Sequence, residues 1–562
     1  MTTVAMSTTC AAWGTCSADC PAWMLLGNQC VPSCPLQNMR ALRVTARLTR
    51  WMNSSRARRW YGARMEPIVA SSNGRLRGQA RERHLAFLGI PFAKPPVGTL
   101  RFAAPQPVEP WTGVRDALAF GPCAPQDPLS VPPFRAEPPE SEDCLFLNVY
   151  TPAADSARRP VLFWIHGGGF SHGAGSQPSY DGGPLATRGD VVVVTINYRL
   201  GALGYLYLGE HGGPAWGAAS NAGQLDQIAA LRWVRQNIAA FGGDPDNVTI
   251  FGESAGAVAV CTLLAMPAAR RLFGKAIAQS GTANRLGTTT SAAAATAQYL
   301  KALGIESADA ETLQGASVEA LLRAQGPRGP MWPHVDGTNV PQRAISAIRE
   351  GYARDIPLLA GTNRDEHKLY VAPDRAAIDD AELERQVREQ LPASAAARAK
   401  EVIGVYRSSR TARGLPSSAH DIADAVVTAS RFRIPATRLC EAHAPHQPKT
   451  FLYQFDWESP ARHGALGACH GVEVPFVFGT VGKNGNPRFT GDGPDALHLA
   501  GQMMDAWIAF AKTSDPSHAA IGRWPAYDSS ERRTMIFDRH CRAEAAPFEE
   551  ERAIWDAVLA AT

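Results

Sequence analysis

The sequence predicts an α/β protein in which helices cover both faces of one central, mostly parallel, twisted sheet. Three observations carry this prediction. Apolar runs of strand length at residues 144–150, 161–165 and 191–196 are unbroken rather than alternating, the pattern of strands buried on both faces. Helical patterns fill the gaps between such runs, as a doubly wound sheet requires. Midway along the chain a β-branched run, Val248-Thr249-Ile250, passes through Phe251-Gly252-Glu253-Ser254-Ala255-Gly256 straight into small residues suited to a helix.

A chain of 562 residues that is 45% hydrophobic and 19% charged has ample apolar content for a large core. It has no run of eighteen apolar residues, so no membrane-spanning helix is expected. The formal net charge of +4 is unevenly placed. Residues 1–64 hold eight Arg, no Lys and one acid, Asp19, which leaves about −3 on the remainder. A nucleic-acid surface needs Lys and Arg clustered on the folded body, so nucleic acid is not an expected partner. The same segment holds Cys10, Cys16, Cys20, Cys30 and Cys34, but no histidine and no Cys-x-x-Cys pair, a poor pattern for zinc. Its basic residues begin only at Arg40 and its apolar run is short, so a secretory signal is not expected and the cytoplasm is the expected compartment. Residues 1–64 are expected to lie outside the fold, with translation starting at Met65 and residues 65–562 forming the folded domain.

From Met65 the elements follow in order. Residues 68–70, the turn Ser72-Asn73-Gly74 and residues 75–78 read as a short hairpin. Gly89-Ile90-Pro91-Phe92-Ala93-Lys94-Pro95-Pro96-Val97-Gly98 is too rich in proline for a central strand and reads as a loop. Residues 224–240 place Leu225, Ile228, Leu231, Val234 and Ile238 on a helical period and stop at Gly242-Gly243. Beyond Ser254, residues 275–280, 356–361 and 451–457 read as strands. The Ala-, Arg- and Glu-rich stretch 376–444 between the last two reads as helix.

Gly-x-Ser-x-Gly between a strand and a helix is the context of a nucleophile elbow. A serine at the tip of so sharp a turn is strained and exposed, and small flanking residues let strand and helix close together. The motif alone is common, so the rest of the chain must supply a base, an acid and oxyanion donors. In this architecture the acid and then the histidine follow the serine. Eight of the fourteen histidines lie after residue 400, and the loop after residues 451–457 offers His463 and His470. His470 is the better placed, in a Gly-containing loop before the apolar residues 474–478. Asp365 and Glu366 follow the strand 356–361, and spacing alone does not separate them. Trp164-Ile165-His166-Gly167-Gly168-Gly169-Phe170 runs from a strand into three glycines whose amides can reach an oxyanion, joined by the amide of Ala255. His166 reads as a support for that loop. Glu253 is either a hydrogen-bond acceptor under the site or a group that positions water, and Trp216 either lines the approach or anchors packing.

With Pro95-Pro96-Val97-Gly98, Ser141-Glu142-Asp143-Cys144-Leu145-Phe146-Leu147-Asn148, Asn197-Tyr198-Arg199-Leu200, residues 221–227 and Gln279-Ser280-Gly281, these motifs resemble the type-B carboxylesterase family. That family is the carboxylesterase and cholinesterase group of the α/β-hydrolase fold, and the resemblance runs from about Met65 to the C-terminus. It implies a nucleophile at Ser254, the acid Glu366 rather than Asp365, the base His470, and oxyanion donors Gly168, Gly169 and Ala255. It also implies a Cys123–Cys144 disulfide, and export if that bridge forms. The implied activity is a serine carboxylic-ester hydrolase that forms an acyl-enzyme on small-molecule esters and needs no metal or organic cofactor. Alternatives on the same site are amide or carbamate hydrolysis, or a non-catalytic binding module, the last disfavoured by the intact nucleophile and base. Phe134 stands where cholinesterases use a tryptophan for the quaternary ammonium. Phenylalanine is a weaker cation binder, so choline esters are not expected substrates.

Overall fold

The computed structural model describes residues 66–560, apart from 127–138, 210–215, 217–218, 306–309, 327–330 and 484. The expectations for residues 1–64, for the start at Met65 and for Phe134 therefore lie outside the described residues. The strands in chain order are β1 (Ile68–Ser71), β2 (Gly74–Arg77), β3 (Gln79–Ala80), β4 (Leu85–Pro91), β5 (Val114–Asp116), β6 (Phe146–Thr151) and β7 (Arg159–Ile165). They continue with β8 (Val192–Ile196), β9 (Gly243–Glu253), β10 (Lys275–Gln279), β11 (Leu358–Asn363), β12 (Thr450–Phe455), β13 (Thr534–Phe537) and β14 (Arg542–Glu544). β1, β2 and β5 make a small sheet, opened by the predicted hairpin with Ser71 opposite Gly74.

The other eleven strands form one sheet in the order β14-β13-β12-β11-β10-β9-β7-β8-β6-β4-β3. The run from β13 to β8 is parallel throughout, and the antiparallel pairs lie at its flanks. Alternate residues of the apolar runs feed different cores. Val161, Phe163 and Ile165 of β7 join the core that includes the helices Ala222–Asn237 and Ala255–Ala265, while Leu162 and Trp164 join the one built on the helix Pro494–Thr513. Both faces are dry, which explains why these strands read as unbroken apolar text. A third core, around Tyr406 and Trp555, joins the helical stretch after β11 to the C-terminal helix Glu549–Leu559. That stretch is helical as expected and divides into the helices Asp380–Arg388, Ala399–Ala412, Ala419–Thr428 and Ile434–His443, joined by shorter turns. Among the described residues no helix is long and apolar enough to cross a membrane.

Two expectations need correction. Gly89, Ile90 and Pro91 are the end of β4, not a loop. The register slips between Phe87 and Ile90, and Gly89, at φ 69°, turns its N–H onto the Asn148 side chain at 2.9 Å. Pro91 is tolerated as the last residue of a strand near the sheet's edge. Cys123 and Cys144 are two buried thiols, with no disulfide between them. Cys123 Sγ instead accepts from Gln126 Nε2 at 3.4 Å, and burial pushes its pKa up to about 11, so the thiolate needed for exchange is scarce.

Candidate active site

Register lines up the carboxyl ends of the central strands. Ile165 of β7 stands opposite Gly252 of β9, Glu253 opposite Gln279 of β10, and Gln279 opposite Gly361 of β11. β8 and β9 leave β7 on opposite sides, so the loop after β7 and the turn after β9 meet at the sheet's switch point, where ligand crevices form.

Ser254 sits in that turn with φ 56° and ψ −121°, and the helix Ala255–Ala265 begins at the next residue. Its strain is held by close backbone approaches that only glycine permits. A Cβ on Gly256 would lie 2.0 Å from the Ile165 carbonyl oxygen, one on Gly252 2.6 Å from the Gly256 carbonyl carbon, and one on Gly281 2.2 Å from the Ser254 carbonyl oxygen. The glycine run folds over this elbow: a Cβ on Gly167 would lie 3.1 Å from Ser254 Cβ. Gly168 and Gly169 have φ 102° and 61°, and the side of Gly169 is open to 3.8 Å. His166 props the loop as expected. Its ring stacks on Tyr198 at 4.4 Å, its Nδ1 lies 2.8 Å from the Gly167 oxygen, and burial drives its pKa down to about 4, so it is neutral.

Glu366 opens the 3₁₀ turn that follows β11, and there its carboxylate is wholly buried. Its Oε1 accepts from Asn363 N at 2.7 Å, and its Oε2 lies 2.6 Å from His470 Nδ1. Asp365 turns the other way. It pairs with Arg364 at 2.8 Å and accepts from Ala468 N at 3.1 Å. Burial opposes its charge, but Arg364 and Lys368 outweigh that and hold its pKa below the ordinary value. His463 lies exposed on the Ala461–Gly464 turn and joins none of this.

The structure therefore brings Glu366 and His470 together beside the elbow. It does not place Ser254 Oγ in a hydrogen bond with His470; the imidazole Nε2 lies 3.0 Å from Glu253 Oε1 instead. Burial, followed by the neighbouring Glu473 and Glu366, pushes Glu253 up to about 8 against the pull of His470. Burial works against a charged His470, yet Glu253 and Glu366 win and raise it to about 9.

Sequence reading missed the layer beneath. Glu473, fully buried, accepts from Asn363 Nδ2 at 2.7 Å and Gln279 Nε2 at 3.2 Å, and Trp507 Nε1 donates to Gln279 Oε1 at 3.0 Å. Its only signal was a glutamate three residues after His470, at the start of an apolar run. The aromatic wall was missed too: Phe432 and Tyr370 stand 5.1 and 5.4 Å from the His470 ring, centroid to centroid. Trp216 is a packing anchor, buried against Phe102.

The parallel sheet, the elbow at its switch point and the glycine loop over it define an α/β-hydrolase. More narrowly, the chain belongs to the carboxylesterase family, whose model matches residues 65–555, and it is a carboxylic ester hydrolase. It is 41% identical over 501 residues to the para-nitrobenzyl esterase of Bacillus subtilis (strain 168), spanning 86% of this chain and 97% of that one. It is 35% identical over 492 residues to the phenmedipham hydrolase of Pseudarthrobacter oxydans, spanning 84% and 94%. Among solved structures, PNB esterase matches with a TM-score of 0.78 at 39% identity, covering 87% of this chain and 99% of that one. Carboxylesterase EST55 of Geobacillus stearothermophilus matches at 0.77 and 42%, with the same coverage.

Proposed function

We propose that the chain hydrolyses small carboxylic esters through an acyl-enzyme on Ser254, with His470 as base, Glu366 as the acid that orients it, and the amides of Gly168, Gly169 and Ala255 as oxyanion donors. The 2.6 Å contact between Glu366 and His470 Nδ1 supports this reading most. That contact fixes the tautomer with the proton on Nδ1 and leaves Nε2 to face the serine side. In the first half-reaction Ser254 Oγ adds to the ester carbonyl carbon while its proton passes to His470 Nε2. The oxyanion collapses, the C–O bond to the alcohol breaks, and His470 returns the proton to the leaving oxygen. Water repeats the sequence on the acyl-enzyme and releases the acid. In the free protein Nε2 lies against Glu253, so the first step requires the imidazole to give up that contact and its extra proton.

The family match beginning at residue 65 supports residues 65–562 as the catalytic domain. The relatives make para-nitrobenzyl esters and phenmedipham the first compounds to try. Ser254→Ala should lower kcat for para-nitrophenyl acetate by roughly 10⁴-fold or more, and near-normal turnover would overturn the assignment. One acyl group offered as ester and as anilide separates ester from amide hydrolysis.

A further inference from the structure

The glycine run over Ser254 is pinned by a side chain from another part of the chain. Gln126 is 3% exposed. Its Oε1 accepts from Gly173 N at 2.9 Å, and its Nε2 donates to Gly173 O at 3.2 Å and to Ala124 O at 3.0 Å. One side-chain amide thus meets both main-chain groups of Gly173, which would be costly to bury unpaired. The segment that carries Gln126 is itself tied to the far end of the loop. Asn197, the residue after β8, donates to Pro122 O and accepts from Gly175 N, both at 2.9 Å.

Gly173 is where the loop closes on its own start. A Cβ there would lie 2.5 Å from His166 Nδ1 and 2.7 Å from Gly167 O. The preceding residue, His172, donates its N–H to Gly168 O at 3.1 Å, and its own carbonyl oxygen lies 2.1 Å from where a Cβ of Gly168 would be. The carbonyl of His172 and the N–H of Gly173 belong to one planar peptide group, so they point in opposite directions. When Gln126 Oε1 holds that N–H, the carbonyl is aimed at Gly168. Gly168 is kept there at φ 102°, a conformation that residues with a Cβ rarely take. The path from Gln126 to the loop is one hydrogen bond, one rigid peptide and one close contact. The other parts of the site have other supports: the elbow has the close approaches at Gly252, Gly256 and Gly281, and Glu366 has Asn363 N at 2.7 Å.

We propose that Gln126 is a positioning residue for the oxyanion donors: its amide fixes the His172–Gly173 peptide, and through it the direction in which the N–H groups of Gly168 and Gly169 point. The proposal rests on the reading of those two amides as oxyanion donors.

The test replaces Gln126 by Met, which keeps the volume and loses the hydrogen bonds. Its control is Asn237→Leu, which removes a buried amide of the same kind near the amino end of β9, away from the site: Asn237 accepts from Ser72 N at 2.6 Å and donates to Trp233 O at 2.9 Å. Each protein is assayed with para-nitrophenyl butyrate and titrated with trifluoromethyl hexyl ketone and methyl hexyl ketone. Ser254 Oγ adds to the carbonyl carbon of the fluorinated ketone, its proton passes to His470, and the oxyanion stays because no group can leave. The methyl ketone reports binding of the unreacted carbonyl. Gln126→Met should lower kcat by roughly 10- to 100-fold with KM little changed, the cost of misplaced oxyanion donors. It should weaken the fluorinated ketone by a similar factor and leave the methyl ketone within about twofold, because only the oxyanion state uses those donors. Asn237→Leu should lower the urea midpoint and leave both ketones as in the wild type. If Gln126→Met does not fold, Gln126→Asn, which keeps the amide but not its reach, carries the same comparison. Unchanged affinity for the fluorinated ketone in the Gln126 variant, an equal loss for both ketones, or the same loss in Asn237→Leu would overturn the positioning role alone. A wild type that binds the fluorinated ketone no more tightly than the methyl ketone would overturn the oxyanion reading and the proposal with it.

Discussion

Replacing Glu253 by Gln should move the acidic limb of the kcat/KM profile to lower pH. The base must be unprotonated to take the serine proton, so activity is present above the His470 pKa and lost as pH falls through it. In the resting site that pKa is raised to about 9, with Glu253 the foremost carboxylate raising it, 3.0 Å from Nε2. Two full charges at that separation interact by about 5 kcal/mol at an effective dielectric constant of about 20, which corresponds to about 4 pH units. Glu253 itself is raised to about 8 and so holds its own proton below that pH, and only part of this interaction is expressed. A downward shift of about 1 to 2 units is therefore expected for Glu253→Gln, whose amide keeps the size of the side chain without its charge. The assay is kcat/KM for a neutral para-nitrophenyl ester from pH 5 to 10, roughly, because kcat/KM reports groups of the free enzyme. A limb that stays in place, or moves upward, would refute the argument that Glu253 sets the charge of His470.

Glu366→Gln should lower kcat by roughly 10⁴-fold, because the amide can hold the wrong tautomer of His470. Asp365→Asn should spare kcat far more but lower the urea midpoint, since it breaks a buried pair with Arg364 worth up to about 3 kcal/mol; an equal loss of kcat in both variants would reverse the assignment. Gly256→Ala should destabilise by about 2 kcal/mol or more and depress activity, because its Cβ would meet a backbone oxygen of β7 at 2.0 Å that no rotamer change can move. Gly404→Ala, in the helix Ala399–Ala412 with no atom within 4 Å of the new Cβ, is its control and should be neutral or stabilising by about 1 kcal/mol in the same urea titration.

What the sequence made legible was local. The glycines at 252, 256, 167 and 168 sit where backbone passes backbone at 2 to 3 Å from the missing Cβ, and Gly169 has a positive φ of 61°, so glycine is favoured at each and the run is legible as a motif. Strands covered on both faces advertise themselves as apolar runs. What stayed hidden depends on where a chain segment turns. Asp365 and Glu366 are adjacent, and only the 3₁₀ turn after β11 decides that Glu366 faces His470 while Asp365 faces Arg364. The last three residues of β4, Gly89 to Pro91, read as loop because proline is judged by composition, whereas the place of Pro91 at the last residue of a strand makes it harmless. β13 is a four-residue strand that gains its identity from pairing with β12. Tyr370 and Phe432 lie about 60 residues apart yet both flank the His470 ring, and no periodicity in either neighbourhood points to the other.

Four carboxylates crowd this site, and they differ in the N–H groups that each receives. Asp365 takes a guanidinium and a backbone amide, Glu366 a backbone amide and the imidazole, Glu473 two side-chain amides. Glu253 has no such donor: its Oε1 is buried without a hydrogen bond, and the nearest cationic group is His470, out of line at 3.0 Å. Burial raises both Glu473 and Glu253, but the Asn363 amide opposes the rise at Glu473, whereas Glu253, without such a donor, is pushed up to about 8 beside an imidazole raised to about 9. In the proposed mechanism a proton can pass between them across their 3.0 Å contact. When His470 gains a proton from Ser254, Glu253 can stay neutral and avoid drawing the imidazolium away from the serine. When the imidazolium persists, Glu253 can ionise and hold it. On the proposed mechanism the residue beside the nucleophile would set how readily His470 lets its proton go, and the Glu253→Gln profile tests that role.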